Sequence, residues 1–95
     1  MSQLTLETFR RMAQAEGFDE IVERAWEPCV MIETHTHPFA VKALVTEGEM
    51  WLIVGDHERH LVPGDVFTLQ RDEPHAERYG PQGATYWAAR RHTAG

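Results

Sequence analysis

The chain has 95 residues, 42% apolar and 25% charged, which suits one small globular domain over residues 1–95 and excludes a disordered polypeptide. A formal charge of −6 at pH 7 argues against a nucleic-acid partner, whose phosphates demand a basic face, and the one concentrated positive pair, Arg90-Arg91, is too small to supply it. One cysteine excludes an intrachain disulfide, no leader pattern opens the sequence and no apolar run spans a bilayer, so a soluble, cytoplasmic protein with no membrane partner is expected.

Residues 5–16 read as a helix: Leu6, Phe9, Met12 and Ala13 share one face, Thr5 is a candidate N-cap, and Gly17 supplies the stop. Its predicted role is packing against an open end or edge of the remainder. After Gly17 the pattern changes to short segments rich in Val, Ile, Thr and Trp at 20–26, 29–36, 41–46, 49–54, 59–62, 66–70, 75–79 and 84–90. Turn-forming steps such as Glu47-Gly48, Pro63-Gly64-Asp65 and Gly80-Pro81-Gln82-Gly83 separate them. Regular spacing of this kind predicts an all-β barrel or sandwich over about residues 20–90. Met50 to Val54 is apolar on both parities, which predicts burial on both faces or a subunit contact. Met31, Phe39, Trp51, Tyr79, Tyr86 and Trp87 are candidates to line the barrel.

Six histidines punctuate the chain. On a strand, residues i and i+2 point the same way, so His35 and His37 share a face, and two neutral imidazoles there can hold a cation if a neighbouring strand adds a third ligand. An H-x-H pair alone is equally compatible with solvated side chains. His75, which follows Pro74 and opens a new strand, is the candidate third ligand. His57 and His60 fall in a charged hairpin tip and read as solvated, and His92 falls in a tail expected to fray. Cys29, beside Pro28, reads as a small buried hydrophobe.

His35-Thr36-His37-Pro38 with Gly48, followed by Pro63-Gly64-Asp65 and Glu73-Pro74-His75, resembles the two characteristic motifs of the cupins. The match covers about residues 28–90, and the two motifs occur in order with the expected gap. The resemblance implies an all-β double-stranded β-helix, or jelly-roll barrel, with one N-terminal α-helix outside it. It also implies a divalent transition metal held by His35, His37 and His75; imidazole suits Fe, Ni, Zn and Cu, and Mn less well. Where the family places a fourth ligand, Glu or Gln, this chain has Val41, or Lys42 if one more residue is allowed. Glu77 shares a strand face with His75, and Glu33 shares the parity of His35 and His37. Either could therefore supply the missing carboxylate or act as a catalytic base, unless a bulge breaks the parity.

Three function classes follow. The first is a metal-dependent enzyme acting on a small anionic or chelating molecule by dioxygenase-, isomerase- or lyase-type chemistry. The second is a non-catalytic small-ligand-binding or sensing module. The third is a metal that merely staples a thin core, against which an incomplete ligand set argues, because structural sites tend to be closed. The resemblance and the doubly apolar strand favour a homodimer.

Overall fold

The computed structural model describes residues 5–92. Helix α1 runs Leu6–Ala15; the Thr5 side chain caps it by accepting from the Thr8 backbone N–H at 3.1 Å. The chain leaves the helix through Gly17 in the left-handed region, φ 89°. No helix among the described residues is long and apolar enough to cross a membrane.

Six strands follow: β1 Glu20–Trp26, β2 Met31–His35, β3 Ala40–Val54, β4 His57–Leu61, β5 Val66–Leu69 and β6 His75–Arg91. All pairings are antiparallel, and β3 and β6 pair with each other along most of their lengths. The C-terminal half of β6 also pairs with β1, and the N-terminal half of β3 with β5. The opposite halves pair with β2 and β4. Two sheets, β1-β6-β3-β5 and β2-β6-β3-β4, therefore share two long bent strands and close over one core. This is the double-stranded β-helix, with α1 outside it.

The segments expected at 41–46 and 49–54 are thus one strand, as are those at 75–79 and 84–90. Their turn-like sequences make corners instead of chain reversals. At Gly48 (φ 73°) a Cβ would stand 2.0 Å from the Gly83 carbonyl oxygen, and at Gly83 (φ 72°) 2.2 Å from that of Trp26. Only glycine allows both the left-handed backbone and so close an approach. Register shifts between Val45 and Glu47 and between Gly48 and Met50 complete the bend.

These corners decide which residues face inward. Val41, Ala43, Val45, Met50, Leu52, Leu61, Phe67, Leu69, Tyr79, Ala84, Tyr86 and Ala88 form the barrel core. On the outer face of the first sheet, Leu44 and Ala89 pack with Phe9 and Ala13 of α1, joined by Ile21, Val66 and Trp87. The helix covers a sheet face and not the open end or edge expected of it, and Trp87 belongs to that contact instead of lining the barrel. Among the described residues no helix covers the outer face of the second sheet. There Trp51 lies half-buried between the His60 ring, 4.7 Å away, and the Arg78 guanidinium, 4.4 Å away. Met31 is 72% exposed. Neither lines the barrel, and the Met50–Val54 run is buried on one face only: Met50 and Leu52 are buried, Trp51 and Ile53 half-buried. Cys29 is exposed, not buried, at a left-handed position (φ 62°) in the β1–β2 turn.

Candidate metal centre

One end of the barrel opens into a cavity of about 150 Å³. His35, His37, His75 and Glu77 reach it from the end of β2, the segment after it and the start of β6. Antiparallel pairing puts His35 opposite His75, and the loop between β5 and β6 brings His37 alongside: the Asp72 N–H donates to the His37 carbonyl at 2.8 Å. The Glu73 carboxylate shapes that loop by accepting from the Gln70 N–H at 2.8 Å. Pro63-Gly64-Asp65 acts only on the backbone, the Asp65 carboxylate accepting from the Val62 N–H at 2.9 Å.

The three imidazoles present one ligand atom each, all within 4.8 Å of one another. Two are fixed in tautomer: His35 Nδ1 donates to the Glu33 carbonyl at 2.8 Å, and His75 Nδ1 to the Glu73 carbonyl at 2.9 Å. That leaves each Nε2 lone pair free to face a cation, as metal-binding histidines require. His37 is stacked on Phe39, ring centroids 5.0 Å apart. His75 Nε2 is buried and forms no hydrogen bond. Burial of an unsatisfied polar atom costs about 1–3 kcal/mol, so such an atom points to a missing partner. The donor set fits a divalent transition metal.

Of the two candidate acids, only Glu77 turns inward. The β2 register shifts between Ile32 and His35, so Glu33 loses the parity of His35 and its side chain is exposed; only its carbonyl serves the site. Glu77 is buried, with Oε2 3.6 Å from His35 Nε2 and 3.5 Å from His75 Nε2. Its Oε1 accepts a short hydrogen bond from the Tyr79 hydroxyl and a longer one, 3.5 Å, from Tyr86. The ambiguity between Val41 and Lys42 is also resolved. Val41 lines the cavity, whereas the Lys42 ammonium lies on the opposite face, 2.7 Å from the Glu16 carboxylate.

Burial alone would raise the Glu77 carboxyl, but the adjacent His75 imidazole, the hydrogen bond from Tyr79 and the charge of His35 outweigh it and hold Glu77 below its ordinary range. Burial likewise pulls His75 down, and Glu77 and the Glu73 carbonyl more than compensate, raising it. His37 is lowered, first by burial and then by the other two imidazoles. Burial pushes both phenols, Tyr79 and Tyr86, well up, so each stays a neutral hydrogen-bond donor.

The sequence reading missed the cavity's other walls. Trp26, Ile32, Phe67 and Leu69 make it apolar, and Arg24 and Arg90 add two positive charges. Arg24 stacks over Trp26 at 5.0 Å and Arg90 over Phe39 at 4.9 Å. The signal was present: Val22, Arg24 and Trp26 alternate in β1, placing an arginine between two apolar residues on one face. The remaining histidines, His57, His60 and His92, are exposed. His60 sits in strand β4 and donates to the Glu49 carboxylate at 2.7 Å, and His92 donates to Glu20 at 2.9 Å. His57 opens β4 and is exposed.

Residues 17–90 match the family profile described as AraC-like ligand binding domain. An uncharacterized HTH-type transcriptional regulator of Haemophilus influenzae is 42% identical over 36 residues, a stretch that takes in 38% of this chain but only 12% of the regulator. Among solved structures, an RmlC-like cupin from Shewanella frigidimarina superposes with a TM-score of 0.68 at 20% identity, covering 78% of this chain and 66% of that one. The polyketide cyclase RemF from Streptomyces resistomycificus does so with a TM-score of 0.66 at 25% identity, covering 84% and 60%. The structural likenesses establish the cupin barrel.

Proposed function

The chain belongs to the family of AraC-like ligand-binding domains, and we propose that it uses a cupin metal centre at His35, His37 and His75 to bind a small, anionic, metal-chelating molecule and act on it enzymatically. The observation that carries this reading is the convergence of three imidazoles with Arg24 and Arg90 on one cavity of about 150 Å³, in a chain whose net charge is −6. Positive charge gathered in one place on an acidic protein attracts an anion. A cavity of this size admits a molecule of roughly benzene's bulk, such as a small carboxylic acid.

A bound divalent metal would supply Lewis acidity toward a chelated oxygen. The protein's own groups do the rest. Arg24 and Arg90 orient a carboxylate; their guanidinium planes are held by the aromatic rings beneath them. Trp26, Phe39, Val41 and Phe67 exclude water and strengthen every charge interaction inside. Tyr86, neutral and cavity-lining, accepts from Trp26 Nε1 at 3.2 Å and keeps its own proton available toward the ligand or Glu77. Dioxygenase, isomerase and lyase chemistry are all compatible with such a centre.

The family profile and the match to a transcriptional regulator support a second reading, a sensing module that binds the same ligand without turnover. One experiment separates them: metal analysis of purified protein, then calorimetric titration of the metal-loaded protein with 2-oxo and 2-hydroxy acids, with product analysis and oxygen uptake in parallel. Binding with turnover supports the enzyme, binding without turnover the sensor. A wild-type protein that takes up no metal overturns both. The outer face that carries exposed Met31 and half-buried Trp51 and Ile53 supports a homodimer, which light scattering of the purified chain tests.

A further inference from the structure

We propose that Glu77 is a protein ligand of this metal centre, taking the role that Val41 vacates; the inference rests on the metal reading above. A carboxylate hydrogen-bonded to an imidazole N–H stands about 2.7–2.9 Å away. Two donors about 2.1 Å from one tetrahedral ion stand about 3.4 Å apart. Glu77 Oε2 lies 3.6 Å from His35 Nε2 and 3.5 Å from His75 Nε2, too long for hydrogen bonds and close to the edge of a coordination polyhedron. His75 Nε2 remains without a partner although this carboxylate is its neighbour.

The second oxygen supports the assignment. Oε1 is occupied by the Tyr79 hydroxyl, with Tyr86 beyond it, so the carboxylate is anchored at one end and presents the other to the histidines. Tyr79 is itself fixed by stacking on Trp26, ring centroids 5.2 Å apart. A buried carboxylate is costly unless paired, and a dication flanked only by neutral imidazoles lacks compensating charge. One ligand answers both needs. Val41 makes room: it lines the same cavity where a longer acid from β3 would compete with Glu77 for the metal.

The test measures metal, not turnover. Cobalt(II) is titrated into metal-free wild type, Glu77→Gln and Glu77→Gln/Val41→Glu, with affinity read by chelator competition and ligand environment by visible absorption. Glu77→Gln preserves shape and removes the charge. The proposal expects it to weaken cobalt more than about 100-fold, beyond the 10–100-fold of a group that only orients a ligand, and to alter the visible bands. Val41→Glu in that background should restore affinity. Unchanged affinity, or weakened affinity with unchanged bands, overturns the assignment while leaving the three-histidine centre intact. Wild type that binds no cobalt overturns the metal reading itself. Should Glu77→Gln fail to fold, infrared difference spectra of wild type labelled with 13C-glutamate decide. A labelled carboxylate band that shifts on metal addition supports the ligand, and no shift rejects it.

Discussion

The cavity and the outer sheet surface each hold histidines beside glutamates, and the two sets differ in spacing. Outside, His60 meets Glu49 at 2.7 Å and His92 meets Glu20 at 2.9 Å, ordinary hydrogen bonds between half-exposed partners. Inside, two imidazoles stop 3.5–3.6 Å from Glu77, and His75 Nε2 has no hydrogen-bond partner. The surface groups have found each other. The cavity groups are held apart by their backbone and tyrosine anchors around a common point, which is the arrangement a cation needs.

The largest expected break in this comparison is His75→Ala. It should abolish stoichiometric metal, measured by elemental analysis, whereas His60→Ala should leave it unchanged. Next, Arg24→Gln should weaken binding of a carboxylate ligand by about 10–100-fold by calorimetry, because a charge-assisted hydrogen bond is worth about 1.5–3 kcal/mol, with metal content unaltered. Tyr79→Phe, which strips Glu77 Oε1 of its main donor, should cost about 1–3 kcal/mol in urea unfolding of the metal-free protein.

The pH dependence of the metal-free protein sharpens the contrast further. His75 is raised in the fold, so its contribution is fully present below the unfolded histidine pKa and is lost as pH rises through the raised value. Glu77 is lowered, so its contribution is present above the ordinary carboxylate range and is lost as pH falls through the depressed value. His37, also lowered, opposes His75: its contribution is present above the ordinary histidine range and lost as pH falls through its depressed value. Urea midpoints from acid to mildly alkaline pH should therefore show an alkaline decline that His75→Gln removes and an acid decline that Glu77→Gln reduces. Metal affinity should rise with pH through the same window, because the metal must displace the His75 proton. The smallest effect is outside: Glu49→Gln should change stability by less than about 1 kcal/mol, as exposed ion pairs do.

Much of this site was legible along the chain. Strand alternation grouped His35 with His37, and motif order with the resemblance added His75, but β2 ends at His35 and His37 reaches the cavity from the segment after it. The choice between Val41 and Lys42, and between Glu33 and Glu77, was not legible. Strand parity decides such choices only while the register is unbroken. The β2 bulge turned Glu33 away from the histidines it appeared to accompany, and nothing local to Glu33-Thr34 announces it. Trp51 and Trp87 carry the same apolar character as Tyr79 and Tyr86, yet one parity faces the core and the other the outside.

The rhythm of strands and turns, the helix with its cap and the spacing of three histidines are written in the order of the residues. Each rests on chemistry within a few residues: side-chain alternation, a hydroxyl cap and glycine's access to positive φ. Folding in three dimensions makes two glycine steps corners within long strands, brings Arg24 and Arg90 to one cavity and turns Glu77 toward the histidines. Those outcomes depend on register between segments tens of residues apart, and one shifted pair moves a side chain from the core to the surface.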